Sequence, residues 1–177
     1  MKRNIFSMLL LAICLVACPA ITKAQMTPMQ FNDKLAYITD SLYAKGQRWG
    51  TLFTKAYADK NFALLKPSRE ALEKFVDTKI TEVTNMKDVK DSKNLRMTML
   101  DFLNFEKKMV TEAFKPLERL SNTATDEDVQ NALEGLKTLS KDEEVQLQKV
   151  ASAQDAYAKA NGFTIETTPV DTTAAPH

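Results

Sequence analysis

Apolar side chains recur along most of this chain at alternating steps of four and three residues, the spacing that gathers them on one side of an α-helix. Phe31, Leu35, Ile38, Leu42, Trp49, Leu52 and Ala56 form the first stripe, with Lys45 in its one polar slot. Thr27-Pro28 stands ahead of it, a capping hydroxyl followed by a proline suited to a first turn, so the spacing predicts a helix from Pro28 to about Lys60. Pro67-Ser68 restarts the pattern, and Leu72, Phe75, Val76, Ile80, Val83 and Met86 make a second stripe. Residues 87–94 are charged and nearly free of apolar side chains, which predicts a solvated loop between fraying helix ends. The third stripe is Leu95, Met99, Phe102, Met109, Ala113, Leu117 and Leu120, where Pro116 should kink the helix or end its regular part near Lys115. Residues 121–128 (SNTATDED) read as a break, with Thr125 as the next cap and acids in the turn it opens. Val129, Leu133, Leu136, Leu147, Val150 and Tyr157 make the fourth stripe, with Ser140, Glu143 and Gln154 at the matching slots, and Asn161-Gly162 stops it.

Four amphipathic helices joined by short polar breaks predict an all-α fold, an antiparallel up-down four-helix bundle. A more extended pair of long helical hairpins, completed by a second copy of the chain, is the runner-up. Four glycines and six prolines in 177 residues agree with long helices and argue against a turn-rich β fold. The expected core contains Leu35, Ile38, Leu42, Trp49, Leu52, Phe102, Met109, Leu133, Leu147 and Val150. Residues 25–162 form the helical domain in this reading, and residues 163–177, rich in Thr, Pro and Ala, form a disordered tail.

The start of the chain has a different character. Lys2 and Arg3 precede an apolar run that ends at Cys18, too short to span a bilayer and of the right length for the core of a signal peptide covering residues 1–24. Two processing sites follow. Small residues at Thr22 and Ala24 fit cleavage between Ala24 and Gln25, whereas Leu15-Val16-Ala17-Cys18 resembles a lipobox whose cysteine would be lipidated. Pro19 is an unusual neighbour for a lipidated cysteine and suits the break before an extended cleavage segment, so Ala24–Gln25 is favoured and Cys18 is the alternative. The expected location is therefore the periplasm, the cell surface or the medium, or the outer membrane if Cys18 is lipidated. Cys14 and Cys18 are the only cysteines, so a chain starting at Gln25 relies on packing rather than disulfides.

Charge and residue types narrow the chemistry. Three of the 24 basic residues, Lys2, Arg3 and Lys23, precede Gln25 and no acidic residue does, which leaves 21 against 23 and a formal charge of −2. That balance argues against nucleic acid or an anionic membrane surface as partner. The sole histidine is His177, so the Glu-x-x-His sets of di-iron bundles, histidine-ligated haem and histidine-based triads are not expected, and no metal, cofactor or catalytic residue is assigned. Met97 and Met99 resemble a soft-metal pair, yet on a helix they point about 200° apart and read as packing residues. Glu106 falls on the apolar stripe of the third helix and could serve as an acid or base, with Lys45 as a partner. Gly46 and Gly50 would allow a close helix approach beside Trp49. Asp171-Thr172-Thr173 matches the short acceptor pattern of exported Bacteroidetes O-glycoproteins, which makes Thr172 a candidate glycosylation site.

The leader ending in Ala24-Gln25, residues 100–115 (LDFLNFEKKMVTEAFK) and residues 153–163 (AQDAYAKANGF) together resemble the small exported helical proteins of Bacteroidetes type. They are similar also to the uncharacterised surface-protein family first described in Leptospira. The resemblance implies an exported helical protein and brings no activity or site residue with it. The expected role is a non-enzymatic envelope or surface protein presenting helical faces to a protein partner or to a second copy of itself. A bundle binding a small apolar ligand, or a carboxylate-based enzyme around Glu106 and Lys45, are the competing classes.

Overall fold

The computed structural model describes residues 25–165, and the leader with Cys18 and Ala24, as well as Thr172, lies outside them. The fold is all-α, with no strand among the described residues. Helix α1 is Pro28–Ala58, a 3₁₀ turn at Phe62–Leu65 leads into α2, Lys66–Asn85, and α3 is Lys93–Met109. A π-helical segment at Val110–Phe114 joins α3 to a short α4, Lys115–Glu118, and α5 is Asp126–Asn161.

Local chemistry accounts for the ends. The Thr27 hydroxyl accepts from the Gln30 N–H while the Gln30 side chain accepts from the Thr27 N–H, and Thr125 and Asp128 repeat the arrangement at the start of α5. Helix α1 closes with Lys60 in the left-handed region, where the Asn61 N–H donates back to the Ala56 carbonyl at 2.9 Å. Gly162, with φ of 70°, ends α5 in the same way, the Phe163 N–H donating to Ala158. Pro116 has no N–H to offer the Glu112 carbonyl, and the helix answers by widening: the Lys115 N–H donates to Val110, five residues back. Regular α-helix therefore ends at Met109, earlier than the expected break near Lys115.

Helix α3 has the most extensive contacts, against α5 on one side and α2 on the other, while α1 covers α2 and the 3₁₀ turn. The core runs through Phe31, Leu35, Ile38, Phe62, Leu65, Val76, Val83, Leu95, Met99, Phe102, Leu103 and Leu117. Of the expected core residues, Leu35, Ile38, Leu42, Trp49, Phe102, Met109 and Val150 are buried, and Leu52 and Leu133 are partly so. Leu147 is a correction: it is 36 % exposed, and Leu139 is buried where the stripe placed Ser140. A second correction concerns residues 87–94. This loop is built, not frayed: Ser92 is fully buried and accepts from the Val89 N–H at 2.8 Å, and the Tyr157 hydroxyl donates to the Val89 carbonyl at 2.8 Å. Arg96 closes it with two hydrogen bonds to Asp88. Phe163, assigned to the tail by composition, packs edge-on against Tyr157, so the ordered domain reaches one residue past Gly162.

Candidate functional site

Two carboxylic side chains meet where α3 packs against α5. Glu106 lies on the stripe that buries Met99, Phe102, Leu103 and Met109, and it is itself only 6 % exposed. Glu143 lies on the inward side of α5 between the buried Leu139 and Val150 and is half-buried. The two are within hydrogen-bonding reach, and one oxygen of Glu106, Oε1, is buried without a hydrogen-bond partner among the described residues. Burial, reinforced by the charge of Glu143, pushes the Glu106 carboxyl up to about 8; burial raises Glu143 as well. Near neutral pH Glu106 thus keeps its proton and donates it toward Glu143. Two facing carboxylates sharing one proton are the expected compromise between desolvation and like-charge repulsion.

Beside this pair the chain is irregular. The π-helical segment follows Glu106 by one turn, and α5 passes close to it at Gly135, where a Cβ would lie 3.7 Å from the Glu112 carbonyl oxygen. Trp49 of α1 packs on the same segment, its ring stacked on Phe114 at 3.9 Å and on Phe53 at 5.7 Å. The indole N–H of Trp49 is buried without a hydrogen-bond partner among the described residues.

Other residues singled out by sequence fall elsewhere. Lys45 is not the partner of Glu106; its ammonium lies over the Phe75 ring, 4.9 Å from the centroid, because α1 turns that side toward α2. Met97 is exposed and Met99 fully buried, on opposite sides of α3 as helical geometry requires. Gly46 and Gly50 do not serve close packing among the described residues, since a Cβ at either would meet none of their atoms within 4 Å. Arg69 went unnoticed in the sequence. It is 4 % exposed and joins α2 to α4 through Glu118, with Glu73 as a second partner on its own helix. These two carboxylates raise its guanidinium pKa still further. Its only sequence signal is its place three residues before Leu72 on the buried side of α2.

Clefts indent the surface of the described residues. One of about 540 Å³ runs between α3 and α5, walled by Asn94, Thr98, Asp101, Val145, Gln148 and Lys149. A second, about 620 Å³, lies by Met26, Lys34, Glu82 and Met86, and a third, about 370 Å³, by Lys45, Arg48, Leu64 and Pro67. Among the described residues no cluster of three or more acidic, histidine or cysteine side chains could hold a metal ion, and no helix is long and apolar enough to cross a membrane. No protein-family model, curated protein or solved structure matches the chain.

Proposed function

We propose that this is an exported, non-enzymatic envelope or surface protein that offers the furrow between α3 and α5 to a protein partner. What favours it is the placement of the clefts. Glu106 and Glu143 face into the helix packing, and neither lines any of the three clefts. A molecule held in the α3–α5 furrow meets amides, hydroxyls, Asp101, Lys149 and the exposed Val145. That mixture suits hydrogen bonding along a peptide or helix, as at transient protein interfaces. It suits a small apolar ligand less well, because no aromatic side chain is among its lining and its apolar groups are only Val145, Ala153 and Ala156.

The helices themselves form an antiparallel up-down bundle in this reading. In support, Tyr57 and Lys60, at and just beyond the end of α1, both reach Asp126 at the start of α5, while Phe31 near the start of α1 packs on Tyr157 near the end of α5. Lys34 pairs with Glu82 late in α2 in the same opposed sense.

Export rests on the leader, with release between Ala24 and Gln25 and lipidation at Cys18 as the alternative. The mass of the mature N-terminal peptide separates the two, since a peptide starting at an acylated Cys18 replaces release with membrane anchoring. For the partner, a photo-crosslinking side chain at Gln148 should capture one protein in intact cells, and Thr98→Arg in the facing wall should abolish the capture. A small molecule retained in native mass spectra, or a turnover lost in a folded Glu106→Gln variant, would overturn the proposal.

A further inference from the structure

We infer that the Glu106–Glu143 contact is a proton-operated latch: closed while the two carboxyls share a proton, it releases the middle of α5 from α3 when that proton is lost. The geometry of α5 carries this. Between Leu139 and Val150 the helix has no buried apolar side chain, and within residues 140–149 only Glu143 and Gln146 are even partly buried. Local stability follows buried apolar contact, so this stretch depends on its one inward acid more than the flanking turns do. Val145 and Leu147, the apolar residues of the stretch, lie on its exposed sides.

No counter-ion relieves the pair. Among the described residues no Lys or Arg bears on the charge of Glu106 or Glu143. From α2, Asp77 is held by Lys107 of α3 and Lys79 by Glu82, and from α1, Lys45 lies over Phe75. Among the described residues Glu143 is the only group whose charge bears on Glu106, while Glu106 acts on Glu143 through the hydrogen bond between them, which lowers the Glu143 pKa against the effect of burial. With both ionised, a buried charge faces a half-buried one of the same sign, a repulsion that no cation among the described residues offsets. On α3 the π-helical segment begins four residues beyond Glu106, so the regular helix on that side is already interrupted. Residues Val145, Gln146, Gln148 and Lys149 wall the α3–α5 furrow, so release of this stretch widens it. The latch stands whether or not a partner fills the furrow.

Hydrogen exchange of the full chain, corrected for the intrinsic pH dependence of exchange, tests it. Between pH 6 and pH 9 the protection of amides 140–149 should fall by about tenfold or more, while amides of α1 and of the last turns of α5 hold theirs. Glu106→Gln, which keeps a donor toward Glu143, should remove the fall. Glu143→Gln leaves burial alone to raise Glu106, so it should reduce the fall, and it serves if Glu106→Gln does not fold. Unchanged protection of 140–149 across this range would overturn the latch. So would a fall shared equally by all helices, or one that neither glutamine variant reduces.

Discussion

Replacing Glu106 by Gln should make the protein more stable, and only above the ordinary carboxylate range. In the native state the Glu106 carboxyl titrates at about 8, against a reference of 4.5 in an unfolded chain. The sign follows from which state holds the proton. Below about pH 4.5 both states are protonated and the group is neutral to stability. As pH rises the unfolded chain gives up its proton while the native one keeps it, so stability declines until the native carboxyl ionises near 8, and then levels. Each pH unit in that window costs about 1.4 kcal/mol, so the passage from pH 5 to pH 8 removes at most about 4 kcal/mol. That is a large part of the 5–15 kcal/mol, roughly, that a domain has to lose. Burial of all but 6 % of the residue means that solvent screening takes little from this figure, while sharing of the proton with Glu143 makes it an upper bound. Urea unfolding followed by circular dichroism at pH 4.5, 6, 7 and 8 measures it. In the Glu106→Gln variant the side-chain amide donates to Glu143 as the protonated acid does. The variant should therefore match the parent at pH 4.5, lose less with rising pH and exceed it by a few kcal/mol at pH 8. A parent whose stability does not change between pH 5 and pH 8, or a variant with the parent's slope, would show that Glu106 is ionised in the fold.

Three further outcomes are expected. Leu139→Ala should cost about 2–5 kcal/mol and Leu147→Ala less than about 1, since the first is 7 % exposed and the second 36 %; thermal melting of the two variants checks the facing of α5. Gly50→Ala should raise stability by about 0.5–1 kcal/mol because the added Cβ meets open space on a helix, while Gly162→Ala should lower it by about 1 at φ of 70°, both read by urea midpoints. Arg69→Met should cost about 3–5 kcal/mol by leaving Glu118 and Glu73 without their cation, and a double variant with Glu118→Leu should recover part of the loss.

Several helix ends were legible in the chain because each of these is decided within a few residues. Thr27 with Gln30, Pro67, Thr125 with Asp128, and Gly162 act through backbone groups one turn away, so their effect survives whatever packs above them. Most of the inward stripe on α1 was legible for the same reason, a short period read over few turns. What the sequence left open is decided across space. On the 36-residue α5 the expected Val129, Val150 and Tyr157 are buried, but in the middle packing against α3 took Leu139 inward in place of Ser140 and left Leu147 exposed. Lys45 faces Phe75 and not Glu106 because α2 occupies that side of α1. Glu106 stood out as an acid on an apolar stripe, but its partner is another acid on a different helix, and Arg69 finds Glu118 from 49 residues away. Pairings of that kind have no local signature. They come from the order in which helices stack, which sets who faces whom once burial has taken the water away.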